Sequence, residues 1–299
     1  MFPKGVLWQT RLPVTLRGVP PVTEEYHNPT VSLSPPPMPG GAAPALFLDV
    51  DGTLVEFAET PQAVTVDATL RAQLVRLRAS TGGALALISG RSLDSLDRLL
   101  APAMFDAIGT HGGEWRIGGV HGRAVPPPLR FAEVAADFQT FAAAHPGVLV
   151  EDKGIALAVH TRMAPHLAAP VLALVQAGLA RLGGGYRLQK GAAVVELVPA
   201  AATKGAGIIR LMAQPPFAGR QPVFAGDDLT DESGFMAIRT LGGCGILIGP
   251  ARPTAACFRL PSVAAFRSWL EVLNESTFSH DGARHEASAL FGAPVTSSQ

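Results

Sequence analysis

Cysteine is nearly absent: Cys244 and Cys257 are the only two in 299 residues. They lack the close spacing of zinc and redox motifs and cannot build a disulfide framework, which favours a reducing, cytoplasmic location. Surplus charge is missing too, with 24 Lys and Arg set against 24 Asp and Glu. No overall field draws the chain to nucleic acid or to an anionic membrane surface, so any partner has to be recognised at a local site. Nor is there an unbroken apolar run of the roughly 18 residues that a membrane span needs. The most apolar stretch, 167–182, is interrupted by Pro170 and Gln176, and no span is expected. Residues 1–30 carry Lys4, Arg11 and Arg17 without the continuous apolar segment of a secretory signal, so export is not expected either.

What is present is a globular composition, 47% hydrophobic and 16% charged, on a length that suits one large domain or two moderate ones. The Ser-Pro-Pro-Pro-Met-Pro-Gly-Gly run at 34–41 cannot propagate helix or sheet, so residues 1–43 read as a Pro-rich flexible leader. Residues 277–299 read as a flexible polar tail. Between them, short apolar runs at 45–50, 84–89, 106–109, 223–226 and 245–248 alternate with amphipathic stretches at 67–79, 93–100, 204–213 and 262–273. Strands alternating with helices imply βαβ units on a parallel sheet, hence an α/β, doubly wound, Rossmann-like core. From 113 to 199 the pattern changes to longer strand-like segments, 155–162 and 192–198, around a helix near 167–181. That reads as an inserted α+β domain, with the core made of 44–112 and 200–276.

Four strings carry chemistry. Leu46-Phe47-Leu48-Asp49-Val50-Asp51-Gly52-Thr53 delivers two carboxylates at a strand end, where open parallel sheets bind ligands; the same acids could instead cap the turn. Gly226-Asp227-Asp228-Leu229-Thr230-Asp231-Glu232 crowds acids after another apolar run, and hard carboxylate oxygens suit Mg²⁺. Acids at a helix start are also favoured by its dipole without any metal. Leu85 to Arg91 ends a strand in Ser89 and Gly90, whose hydroxyl and backbone N–H groups suit a phosphate or, alternatively, Ser89 or Ser92 caps the next helix. Lys204 opens a helix, where the dipole disfavours a cation, so its place points to an anionic partner unless it is simply solvated.

In chain order the strings resemble the four motifs of the haloacid dehalogenase-like hydrolases. The resemblance implies that Asp49 is the nucleophile taking the phosphoryl group, that Asp51 is the acid and base, and that Lys204 neutralises the phosphoryl oxygens. It implies Mg²⁺ held by Asp49, the Asp51 carbonyl and Asp227, with support from Asp228 and more weakly from Asp231. Gly52, Thr53, Ser89, Gly90, Arg91 and Lys204 would bind the phosphate. Within the insert, the strings Gly109 to Glu114, Glu151 to Gly154, His160 to Arg162, and Lys190 to Pro199 are similar to those of trehalose-6-phosphate phosphatases. That likeness runs from about 45 to 273 and implies trehalose 6-phosphate as substrate, a cap that closes over it, and coupling to a trehalose-phosphate synthase. Glu114, Glu151, Lys153, His160, Arg162, Lys190 and Glu196 are the candidate sugar contacts; Glu151, Lys153, Lys190 and Glu196 are also readable as exposed charges, and His160 and Arg162, on one strand face, as structural. The core strings alone do not separate this family from phosphatases of other glycosyl phosphates, such as glucosyl- or mannosyl-phosphoglycerate. A non-catalytic sugar-phosphate sensor would retain the fold without the nucleophile, whereas Asp49 and Asp51 are both present.

Overall fold

A strand whose successive residues are all buried needs cover on both faces, and the first apolar run is such a strand. The computed structural model describes residues 33–37, 42–58, 60–191 and 193–275. In it the chain runs β1 (Ala45–Leu48), α1 (Ala68–Ser80), β2 (Leu85–Ile88), α2 (Leu93–Leu100), β3 (Asp106–Gly109), β4 (Glu114–Ile117) and β5 (Val120–Arg123). Then come α3 (Phe131–Ala144), β6 (Leu149–Asp152), β7 (Leu157–His160), α4 (Ala168–Leu182), β8 (Tyr186–Gly191) and β9 (Val194–Pro199). The chain returns through α5 (Lys204–Met212), β10 (Pro222–Gly226), α6 (Glu232–Thr240), β11 (Cys244–Ile248), β12 (Phe258–Leu260) and α7 (Val263–Glu275).

Eight strands form one sheet in the order β12-β11-β10-β1-β2-β3-β4-β5. β1 pairs in parallel with β10 on one side and β2 on the other, so it lies where the winding direction reverses. Alternation along β1 serves both layers. Leu46 and Leu48 pack with Leu70, Leu74 and Leu77 of α1, Leu96 of α2 and Phe266 of α7. Ala45 and Phe47 pack with Ile208 and Leu211 of α5 and Phe235 of α6. The helices begin where short polar side chains close their first turns: Asp67 accepts from Leu70 N, Ser92 from Ser95 N, and Thr203 from Ala206 N. This is the doubly wound α/β fold that the alternation of apolar runs implies.

The boundary expected at 113 is overturned. β4 pairs antiparallel with β3, and β5 with β4, so residues 114–123 extend the large sheet. A hairpin has the same two-residue period whichever sheet it joins, and the pattern alone does not allocate it. The inserted cap is the four-stranded antiparallel sheet β6-β7-β9-β8, covered on one face by α3 and α4. The apolar stretch 165–182 is α4 and the turn before it, long enough and, at a mean hydropathy of 1.2, apolar enough to cross a membrane. It turns Val171, Val175 and Gly178 toward α3 and the cap sheet. The close of the expected leader is also placed: Ser34 O accepts from Arg259 N at 3.1 Å and Pro36 is buried, so 33–37 runs beside β12. Prolines suit such an edge, having no N–H to donate. Residues 1–32 and 38–41 of the leader, and the tail, lie outside the described residues.

α5 and α6 approach closely because α5 begins Lys-Gly-Ala-Gly. A Cβ built on Gly205 would lie 2.2 Å from Ser233 O, a backbone atom that has no freedom to turn aside. Gly205→Ala is therefore expected to push the helices apart and to lower stability by about 1–3 kcal/mol. Urea unfolding measures this, and a loss below about 0.5 kcal/mol would show that the pair separates without strain.

Candidate active site

The ladder of β1 continues to Asp49, whose N–H donates to Ala225 O at 3.0 Å. Beyond it the chain turns sharply, with Val50 O accepting from Leu54 N and Val55 N. Gly52 sits at φ +83°, and a Cβ there would lie 2.2 Å from Asp227 Oδ2, so the glycine both makes the turn and leaves room for that carboxylate. Lys204 reaches in from the first turn of α5 and donates to Asp49 Oδ1 at 2.8 Å and to Asp231 Oδ1 at 2.6 Å. Asp231, fully buried, accepts from Asp227 N and Asp228 N on its other oxygen, both at 2.9 Å. Thr53 Oγ1 lies 3.2 Å from Asp49 Oδ2 and 3.3 Å from Asp227 Oδ1.

Carboxylate oxygens of Asp49, Asp227 and Asp231 all fall within 4.8 Å of one another. One ammonium among three acids leaves negative charge uncompensated. Burial, followed by repulsion from Asp231, pushes Asp227 up to about 6, and burial raises Asp49 well above the usual carboxylate range despite Lys204. Burial alone would depress Lys204, but the carboxylates of Asp231 and Asp49 more than reverse it and hold the ammonium charged. This is a donor set of hard oxygens with an unmet need for positive charge, which fits a divalent cation. Asp231 is already committed to Lys204 and two amides, so Asp49 and Asp227 are the carboxylates open to it. Asp228 is exposed, and its Oδ1 accepts from Leu229 N as a helix cap. It lines the cavity but stands outside the close acidic group.

The expected phosphate ligands divide. Ser89 and Gly90 line the cavity above Asp49. Gly52 and Thr53 lie behind the carboxylates and do not line it. Arg91 also borders it, yet its guanidinium is committed to Asp51 in a two-pronged pair, both contacts at 2.7 Å, and to Pro61 O at 2.9 Å. In the structure its guanidinium therefore serves Asp51 and the Pro61 carbonyl.

The opposite wall is the cap sheet. Register places Glu151, Ala158, Glu196 and Gln189 in one row across β6, β7, β9 and β8. Side chains alternate, so Leu157, Val159, Leu188 and Leu197 face the helices while the row faces the core. Lys153 Nζ donates to Glu196 Oε1 at 2.6 Å and across to Gly90 O at 2.8 Å. His111 Nε2 meets Glu196 Oε2 at 2.8 Å, and His160 Nε2 meets Glu151 at 3.3 Å. Arg162 Nη1 donates to Ala58 O at 2.7 Å, a further cap-to-core contact. Burial would raise Glu196, but Lys153 and His111 hold it well below the usual range; burial depresses His111 against the pull of Glu196. Lys190 is exposed at the rim. Together these residues and the core motifs enclose a cavity of about 350 Å³.

Glu114 is the clear departure. It lies on β4 of the core, its Oε1 accepting from Leu93 N at 2.8 Å and Thr110 Oγ1 at 3.0 Å, and it does not border the cavity. It ties α2 to the β3–β4 turn. Sequence reasoning missed His111 and Gln189 as wall residues and gave Asp231 too small a part. His111, at φ +57°, did sit inside a Gly-rich string, a signal that the backbone there is unusual.

Replacing Asp231 by Ala would leave a buried ammonium with one anion and the Asp227 and Asp228 N–H groups without their acceptor. Stability should fall by about 3–5 kcal/mol, read as a drop in thermal midpoint; an unchanged midpoint would contradict this account of the Lys204 site.

Comparison with known proteins agrees with this architecture. Residues 47–264 match the family model described as Trehalose-phosphatase. A protein of Sinorhizobium fredii named "Probable trehalose-phosphate phosphatase" is 44% identical over 77% of this chain and 87% of its own length. The Escherichia coli protein named "Trehalose-6-phosphate phosphatase" is 40% identical over 77% of this chain and 86% of its own. The C-terminal domain of the Candida albicans trehalose-6-phosphate phosphatase shares the fold, at TM-score 0.66 and 22% identity over 78% of this chain and 93% of that one. The acidic site at the end of β1, the polar cap above it and these relationships agree: the chain belongs to the trehalose-phosphatase family.

Proposed function

We propose that the protein hydrolyses trehalose 6-phosphate to trehalose and phosphate, using Mg²⁺ and an aspartyl-phosphate intermediate. The observation that carries this reading is the Asp49 carboxylate, oriented by Lys204 at the floor of a cavity whose roof is the Glu151–Glu196 row. A cavity of about 350 Å³ is of small-molecule size. Its many paired polar groups suit a ligand with many hydroxyls and penalise one that leaves them unpaired.

In the first half of the reaction an Asp49 oxygen attacks phosphorus. The bond from phosphorus to the sugar oxygen breaks with its electron pair on oxygen, which takes a proton from Asp51. In the second half water attacks the phosphorus, its proton passes to Asp51, and the bond to Asp49 breaks to return the carboxylate and release phosphate. Lys204 stabilises charge on the phosphoryl oxygens throughout, while Ser89 and Gly90 border the same space. A bound Mg²⁺, held by Asp49 and Asp227 with the Asp51 carbonyl, would neutralise phosphate charge and allow the anionic nucleophile to approach. The cap contacts Lys153 to Gly90 and Arg162 to Ala58 tie the cap to the core beside the site, as a cap that limits the access of bulk water requires. The free thiols of Cys244 and Cys257 support a reducing, cytoplasmic setting.

Purified protein with trehalose 6-phosphate and Mg²⁺ should release phosphate, and excess EDTA should stop release; undiminished release in EDTA would remove the metal from the scheme. Asp49→Asn should lower turnover on the order of 10⁴-fold or more while the far-ultraviolet spectrum stays native. Turnover of glucose 6-phosphate or a glycosyl-phosphoglycerate equal to that of trehalose 6-phosphate would overturn the substrate assignment and leave the core chemistry standing.

A further inference from the structure

Arg91 is a charged group bordering the site whose geometry the proposed reaction does not use. It is 8% exposed, and its aim is fixed from both sides of its own backbone. Its N–H donates to Ser89 Oγ at 3.1 Å, and its carbonyl accepts from Thr110 N at 2.8 Å. The guanidinium then delivers Nε to Asp51 Oδ2 and Nη2 to Asp51 Oδ1, each at 2.7 Å, while Nη1 is taken by Pro61 O. A planar fork on a planar carboxylate fixes orientation as well as distance, which a lysine cannot do. Both Asp51 oxygens are thus held as acceptors, the form required to receive a proton. The peptide that carries this fork is itself gripped by the cap: Lys153 Nζ donates to Gly90 O, the carbonyl immediately before Arg91, and the same ammonium holds Glu196 of the roof. An unbroken line of contacts therefore runs from the cap row through Lys153, Gly90 and Arg91 to Asp51.

We propose that Arg91 is a positioning residue for the second half of the reaction, holding the Asp51 carboxylate where it receives the proton of the attacking water, with the cap setting this clamp through Lys153 and Gly90. In that step the water oxygen bonds to phosphorus, its proton goes to an Asp51 oxygen, and the phosphorus–Asp49 bond breaks with its electrons returning to Asp49. The inference rests on the reading of Asp51 as acid and base given above. It departs from the expectation that Arg91 binds phosphate, and the two assignments differ in which kinetic constant they move.

The test uses 4-nitrophenyl phosphate, whose leaving phenolate needs no proton, so the first half-reaction proceeds without an acid and the second still needs a base. In rapid mixing with Mg²⁺, Arg91→Gln is expected to release a burst of nitrophenolate close to one equivalent of enzyme. A steady rate about 10–100-fold below the unsubstituted protein should follow, with KM lowered in step, so that kcat/KM, which reports the first half-reaction, changes only a few-fold. Arg91→Lys, which retains the charge and loses the fork, should fall between the two. Thermal melts establish folding, and if the Gln variant does not fold, the burst in the Lys variant decides. A raised KM with unchanged kcat would make Arg91 a phosphate ligand and overturn the proposal; so would a slower steady rate without a burst. Asp51→Asn separates this inference from its premise. Unchanged turnover of both the nitrophenyl and the sugar ester in Asp51→Asn would refute the acid–base reading and the clamp together. A slow Asp51→Asn beside an unimpaired Arg91→Gln would refute the clamp alone.

Discussion

A single buried ammonium organises this molecule. Lys204 sits at the first turn of α5, where the helix dipole opposes it, and is held there by Asp49 from β1 and Asp231 from the start of α6. Removing a charge from water is costly unless partners with good geometry replace the lost hydration, and two carboxylates within hydrogen-bond distance do so. The same two contacts bring the end of the first strand, the start of one helix and the loop of another to a common point. Gly205 and Gly207 follow from it: α5 has to lie almost against α6 and β3 for the lysine to reach, and a side chain at either glycine would collide with Ser233 O or with Ile108. The Lys-Gly-Ala-Gly string is thus a joint requirement of charge and of close packing.

The cap solves a different problem with the same economy of means. Strand pairing converts a register into a line of side chains, so Glu151, Glu196 and Gln189 stand abreast although far apart in sequence. The alternate positions face α3 and α4 and supply the cap's own core. Lys153 and His111 then tie Glu196 to the lower layer, so that the roof and the floor share one set of charges. A residue serving the roof also reports its position to the floor.

Much of this was legible in one dimension. The apolar runs that became β1, β2, β3, β10 and β11 stood out because a strand covered on both faces shows no alternation, and Asp49, Asp227 and Lys204 stood out because each follows such a run or opens a helix. What depended on distant partners was not legible. Residues 114–123 alternate as an inserted hairpin would, and only pairing with β3 assigns them to the core. Glu114 looked like a sugar contact, yet its carboxylate closes a turn within its own layer. Arg91 carried the right charge for phosphate and was given that role, while its pairing with Asp51, 40 positions earlier in the chain, had no local signal. Asp231 looked like one acid among several because its ammonium partner, Lys204, lies 27 positions earlier in the chain.

Ala158 stands between Glu151 and Glu196 in the row, on the strand that separates theirs. Two strand spacings set those carboxylates roughly 9–10 Å apart. The central methyl group is fully buried between them, so the sheet acts as a caliper: its jaws are acids and its gap is fixed by backbone pairing.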